Sequence, residues 1–593
     1  MMKRKRTITL FNRLIIANVR KTLKAGSLVC LIGAGFIQCT SNNLPDGDPD
    51  NGGLVMPDGF EALVVTDSIG RARHLAVRDN GDIYVKLRAV TPEGGNVALR
   101  DTNNDGKADI IQTFGDYQDP GNYGTAMNIY KDHIYYSTTG YVYRNKLTPG
   151  KLIPESERDT IVIDPYESRS YTTEHIAKPI AFDDQGHIYV PFGAPGDVCQ
   201  EVNRKPGSPG KFPCPELEIH GGVWRFDAEK KNQLQTEGTH FATGIRSIVA
   251  MGWNPGDKTL YALQHGRDNF SRVWPDLYDS YDSALQPSEE FFKVTEGMNG
   301  GWPYYYYDWI QEKKVLNPEY GGDGKKQGNA HEVDNPLIGF PGHWAPNDLF
   351  FYTGDQFPER YKNGAFIAFH GSTIRAPYPQ AGYFVCFVPF ENGVASKNWE
   401  VFADGFAQLD TIVNTNDAAA RPMGITQGPD GSLYISDSVK GKIWRIMYKG
   451  NKNSFGGQQL AKMESRKLRT NIKTPDKVED NLQKETLAAG AAAYNLYCGT
   501  CHLPDGKGDG NRFPPVYKSE WVSGNKKKLI EVVLKGLSGS ITVDGKPYNG
   551  IMPAHDFLKD EEIAQILTYI RMGFGNHAGI VSAEEVRKVR EEK

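Results

Sequence analysis

The sequence predicts a mainly β protein, a six-bladed β-propeller followed by a small all-α domain. Three observations carry this. One pattern recurs six times between residues 75 and 437: an apolar start, a turn of Asp, Asn or Gly, and a short strand of alternating aromatic and aliphatic residues. The 593 residues include 64 glycines and 35 prolines, as a chain of many tight turns requires. From residue 485 the apolar period lengthens to that of a helix.

The first 24 residues carry eight basic side chains, Lys3, Arg4, Lys5, Arg6, Arg13, Arg20, Lys21 and Lys24, and no acid precedes Asp46. An apolar stretch from Ala25 to Ile37 and a polar Asn/Asp/Gly/Pro run follow. Basic, apolar, polar is the order of an export signal. The apolar stretch is shorter than the ~20 residues of a membrane-spanning helix. Phe36-Ile37-Gln38-Cys39 resembles a bacterial lipoprotein box with Gln38 where Gly or Ala is usual, which marks Cys39 for lipidation; a buried or discarded cysteine is the alternative. Residues 1–39 are therefore read as signal and 40–54 as a polar tether, placing the protein in the periplasm on a lipid anchor. Beyond residue 24 the chain holds 60 basic against 72 acidic residues, without the basic footprint of a nucleic-acid binder.

The six repeats are Leu75–Val85, Met127–Tyr136, Ile180–Val190, Met251–Ala262, a degenerate Tyr361–Ala368, and Met423–Ile435. Several are followed by a strand with an aromatic and a basic residue: Val142–Arg144, Val223–Phe226 and Ile443–Ile446. Each unit is a small antiparallel sheet unable to bury its own faces, and a closed ring over 55–448 buries them. Longer gaps between the third, fourth and fifth copies imply insertions on one face. Cys199 and Cys214 bracket a Gly/Pro-rich loop, and in an exported protein such a pair closes a disulfide, adding roughly 3 kcal/mol. Cys386 reads as a small core residue. Asp101–Asp109 has oxygen side chains at alternate positions, so a calcium-pinned loop and a plain Asn/Asp/Gly turn both stand. The aromatic run Trp302–Trp309 is open to stacking on sugars or to packing.

Composition turns polar over 449–484, which reads as a flexible linker. Residues 485–593 form a helical domain with a charged tail, its helices read at Leu487–Tyr497, Leu529–Leu534 and Asp560–Ile570. Cys498-Gly-Thr-Cys501-His502 is the most specific signal: two cysteines three apart take thioethers to haem vinyl groups, and His502 then lies beneath the iron. A thioredoxin-like pair would need a βαβ context and leaves His502 unexplained. Met552, in a loop before the last helix, is the expected second axial ligand, with Met572 as alternative. The pattern resembles a class I cytochrome c from 485 to about 576, which implies Cys498, Cys501, His502 and Met552 as contacts of haem c. A thioether ligand raises the haem potential.

Within the propeller, the stretches His175–His187, Ala242–Arg246, Leu263–Asp268, Phe369–Arg375 and Arg421–Ile425 resemble the quinoprotein sugar dehydrogenases, six-bladed propellers that hold pyrroloquinoline quinone (PQQ) and calcium. The resemblance implies His175 as general base, Arg246 at the quinone, carbonyls of Gly266 and Arg267 on calcium, and Arg375 and Arg421 on the quinone carboxylates. Thr373-Ile374 stand where many relatives have Trp-Asn. The residue types suit the chemistry: guanidinium groups clamp carboxylates, and histidine takes a hydroxyl proton near neutral pH. His265 and His370 are the rival bases. The function so implied is oxidation of a sugar, with electrons passing through the haem to a downstream cytochrome or terminal oxidase of a respiratory chain. The alternative is a propeller without quinone that serves as a binding or docking module for a haem carrier.

Overall fold

Each Asp/Asn/Gly turn of the repeat reverses the chain between the first and second strands of a sheet. In the first repeat the Arg78 N–H bonds the Asp82 carbonyl at 2.8 Å, and Gly81 takes the positive φ of 90° that the turn needs. The computed structural model describes residues 44–117, 124–164, 174–391, 393–477, 480–576 and 578–592. The expected signal 1–39, with Cys39, lies outside the described residues. From Pro45 onward the chain forms one unit.

Six blades of four antiparallel strands follow in chain order, the second and third each extended by a short parallel fifth strand, with inner strands Ala72–Val77, Met127–Tyr130, Ala181–Phe182, Ile248–Asn254, Pro346–Phe351 and Pro422–Gln427. Phe60–Thr66 closes the ring by pairing with Ile443–Tyr448, the third strand of blade 6. Five repeats span an inner strand, its turn and the second strand. The degenerate fifth contains only the turn and the second strand, Ala365–Phe369, because the inner strand Pro346–Phe351 precedes it. The basic third strands fall in blades 2, 3 and 6. Aromatic layers cement neighbouring blades: Phe60 meets Phe357 and Phe402 edge to face at 4.8 and 5.1 Å. Cys386 is buried in Phe384–Val388.

The insertions carry two short helices, Phe270–Val273 and Ser280–Leu285, and a hairpin of Tyr305–Asp308 with Lys313–Leu316. Cys199 and Cys214 are joined by a disulfide, with Trp302 buried against both. The aromatic run thus begins as packing. The loop after Arg100 satisfies its own acids: Asp101 accepts from the backbone N–H groups of Asn103, Asn104 and Gly106.

The expected flexible linker is corrected over much of its length. Helix Gly457–Arg466 lies on blade 5, with Met463 and Ile472 buried in that blade's apolar core. Arg466 pairs with the buried Asp404, and Asn471 donates to the Gly382 carbonyl. Two apolar residues nine apart leave no periodic trace, so the surrounding Lys, Asn and Gln dominate the composition. A propeller ending at residue 450 should therefore be less stable than one ending at residue 476 by about 2–5 kcal/mol in urea unfolding. Equal stability would show that the docked segment contributes nothing.

The C-terminal domain packs helices Asp480–Tyr497, Lys526–Lys535 and Asp560–Met572 around one core. Gly490 lets the first and last of these cross closely, since a Cβ there would stand 2.2 Å from the Gln565 carbonyl oxygen. Two features depart from the expectation. A hairpin, Ile541–Val543 with Lys546–Tyr548, interrupts the helices. The charged tail forms helix Ala583–Glu591, which buries Val586 and Val589.

Candidate functional site

His175 stands before the inner strand of blade 3 with φ at 51°. Gly193 makes room for it, since a Cβ there would lie 2.0 Å from the His175 carbonyl oxygen. The His175 Nδ1–H donates to the Ala194 carbonyl at 2.7 Å, which leaves the lone pair on Nε2. Burial, and then the charge of Arg246, hold its pKa well below the usual histidine value, so the ring is neutral. The rivals are bonded through the other ring nitrogen. Nε2 of His265 bonds the Pro346 carbonyl at 2.7 Å, and burial lowers its pKa to about 4. Nε2 of His370 bonds the Ser438 hydroxyl at 2.6 Å.

Arg246 is buried at the same mouth. One end of its guanidinium donates to Asp197 at 2.6 Å, and the other to the carbonyls of Gly266 and His265 at 2.8 and 3.3 Å. Asp197 is 0% exposed. Burial by itself would raise its pKa, but Arg246, Arg267 and Arg204 outweigh that and bring it down to about 2. Arg204 reaches in from the disulfide loop, 3.2 Å from Glu174, 3.8 Å from Asp197 and 3.5 Å from Asp268. Asp268 also lies 3.9 Å from Nδ1 of the buried His343.

Arg375 is 1% exposed and donates through Nε to the Ala284 carbonyl at 3.1 Å. Its Nη1 is buried without a partner, and the side chain has no carboxylate neighbour among the described residues. Burial lowers its pKa to about 10. It lies within electrostatic reach of His343, which Asp268 also approaches. Arg421 donates to the carbonyls of His370 and Gly371 with the Tyr383 ring beneath it. A buried guanidinium without an acid fits a ligand that brings its own carboxylates. Ala177, Val249 and Met423, from three blades, meet in one small buried apolar cluster.

The segment expected to face calcium turns two of its carbonyls, those of His265 and Gly266, to the Arg246 guanidinium. These are hard oxygen donors of the kind calcium takes. The Arg267 side chain is elsewhere: it pairs with Glu319 at 2.7 Å and bonds Asn317. Beside them Glu289 accepts from the Gly266 and Ala345 N–H groups at 3.1 Å, and burial raises its pKa to about 8.

In the C-terminal domain Cys498, Cys501, His502 and Met552 line one apolar cavity, and Met572 is not among its lining residues. The His502 Nδ1–H donates to the Pro514 carbonyl at 2.9 Å, which orients Nε2 for a metal. Met552 is fixed by reciprocal backbone bonds with Leu537, both 2.9 Å. Both thiols are free, as thioether formation requires.

Residues 54–449 match the family model described as TrAA12-like. The chain belongs to the TrAA12-like family. Behind the TrAA12-like propeller, residues 487–573 match cytochrome c. A cytochrome c-552 of Thermus thermophilus is 39% identical over 115 residues, 18% of this chain and 87% of the relative. A pyrroloquinoline quinone-dependent sugar dehydrogenase of Hypocrea jecorina is 22% identical over 470 residues, 74% and 98% of the two chains. The calcium structure of the Trichoderma reesei carbohydrate-active enzyme of family AA12 superposes with a TM-score of 0.53 at 19% identity, over 69% of this chain and 100% of that one. The chain spans 48% of the length of an uncharacterised Borreliella burgdorferi protein to which it is 27% identical over 208 residues.

The TrAA12-like mouth also uses residues that sequence reasoning missed: Asp197, Arg204, Asp268, Glu289 and His343. Asp268 ends the Leu263–Asp268 stretch and was given no role. Arg204 sits inside the disulfide loop, where the Cys pair itself was the only signal.

Proposed function

We propose that the chain is a quinohaemoprotein dehydrogenase that oxidises a sugar hydroxyl at PQQ and passes the electrons to its own c-type haem. The observation that supports this best is the run of charged groups that links the neutral His175 through Arg246, Asp268 and His343 to the buried Arg375, whose Nη1 has no partner among the described residues. The TrAA12-like relatives named for PQQ and the cytochrome c match favour the same reading. PQQ, when bound, supplies an electrophilic ortho-quinone that takes two electrons from the substrate carbon.

The chain's own residues do the rest. Arg375, Arg246 and Arg421 would hold the cofactor carboxylates and its ring in one orientation. His175 accepts the substrate hydroxyl proton at Nε2, its Nδ1–H anchored on Ala194 throughout. Asp197 keeps Arg246 from swinging out of the mouth. In the cytochrome domain Cys498 and Cys501 would hold the haem and His502 and Met552 would hold its iron, which would supply one-electron transfer to a respiratory acceptor.

Export and anchoring through Cys39 belong to this proposal. Among the described residues no helix is long and apolar enough to cross a membrane. The disulfide is consistent with an oxidising compartment.

Full-length protein loaded with haem, PQQ and calcium should reduce its own haem when given an aldose. Omitting PQQ should abolish this. Absence of turnover across a panel of aldoses and polyols, with PQQ bound, would leave the propeller as a binding module.

A further inference from the structure

The distal side of the haem cavity offers two donors, three residues apart. Met552 is the first. His555 follows on the same loop and lines the same cavity. Its Nδ1 is buried and has no hydrogen-bond partner among the described residues. A buried ring nitrogen without a partner has lost its hydration for nothing in return, and a metal that takes its lone pair removes that penalty. The turn presenting it is tied at both ends: the His555 N–H bonds the Val533 carbonyl at 2.8 Å, and its carbonyl accepts from Leu558 at 3.1 Å. The apolar side chains that flank the two donors face solvent, Ile551 78% and Phe557 68% exposed. His502, the proximal ligand, lies within electrostatic reach of His555 across this cavity.

We propose that His555 is a second distal donor to the haem iron, taking the sixth position when the Met552 thioether is absent or displaced. The exchange breaks one Fe–S bond and forms one Fe–N bond through Nδ1, with the ring proton on Nε2. No electron moves in that step. Imidazole suits the ferric ion better and thioether the ferrous, so the exchange favours the oxidised haem and lowers its potential. The iron thereby has a low-potential resting form and a high-potential form from one loop.

The inference rests on the haem of the proposed function, and pyridine haemochrome spectra of denatured protein test that separately by counting thioether-linked haem. In the full-length holoprotein, Met552→Leu should lose the near-infrared sulfur-to-iron band yet remain six-coordinate and low-spin, with a bis-imidazole electron paramagnetic resonance signature. Met552→Leu combined with His555→Phe should become high-spin and bind cyanide and carbon monoxide at concentrations that leave the single variant unchanged. His555→Phe alone should keep the sulfur band. Met552→Ala replaces Met552→Leu if the latter loads no haem. A high-spin, cyanide-binding single variant, indistinguishable from the double one, overturns the proposal; absence of covalent haem in the wild type overturns it together with the haem reading.

Discussion

Replacing His175 by Gln should lower the turnover number by about 10²–10⁴-fold, the usual cost of removing a general base. Glutamine keeps a donor for the Ala194 carbonyl but has no lone pair on a basic nitrogen, so the loss falls on proton transfer and not on folding. Binding of PQQ, read by fluorescence quenching of the apoprotein, should be unchanged, because the cofactor cations are Arg246, Arg375 and Arg421. Burial and Arg246 hold the wild-type pKa below the ordinary histidine value. The acid limb of the pH–rate profile should therefore lie below that value, and the variant should lack this limb. Near-normal turnover would remove His175 from the role. Since Nε2 of His265 is already spent on Pro346, its free Nδ1 would be the next atom to test.

Asp197→Asn should destabilise the protein by about 3–5 kcal/mol, the cost of leaving one half of a buried ion pair uncompensated. Among the described residues its partner Arg246 then keeps one acid within ion-pair distance, Asp268, at 3.8 Å and a quarter exposed, besides two carbonyls. The effect must depend on pH. The folded-state pKa of Asp197, about 2, lies below the ordinary 3.8. Its contribution is therefore present above about pH 4 and is lost as pH falls through 2. Urea unfolding at pH 7 should show the full difference between wild type and variant, and at pH 2 the gap should narrow by about 2 kcal/mol. A gap that stays constant with pH would mean that Asp197 acts through packing and not through its charge.

The blades are legible in the sequence because their turns need particular residues. Asp-Asn-Gly and Asp-Gln-Gly sit where only a positive φ closes the hairpin, and the strands on either side alternate. The haem ligands are legible for a similar reason, since thioether chemistry dictates the Cys498, Cys501 and His502 spacing. The mouth of the propeller is legible only in part. His175 precedes an inner strand and Arg246 links two strands, whereas Asp197, Arg204 and Arg375 come from irregular loops that converge only when the ring closes. Arg267 is expected to act through its carbonyl, and its side chain serves the fold by pairing with Glu319. The linker was misread because two buried side chains, Met463 and Ile472, decide its packing against a polar majority.

The seam that closes the ring has a mechanical consequence. Phe60 faces Tyr448 and Thr66 faces Ile443, so the chain enters and leaves the propeller at the same end of one antiparallel pair. Once the docked segment 457–472 has been pulled off blade 5, tension between the preceding and following segments would load the Phe60 and Tyr448 end before the rest of the pair, opening the ladder as a zipper instead of shearing all its bonds together. The loaded end is where extra fastenings gather: the Gly59 carbonyl accepts from both Lys449 and Gly450, and Lys449 pairs with Asp46 and Glu61. Within blade 6 this outer seam then yields first, while the inner strand behind Arg421, three strands further in, is the last part to feel the pull.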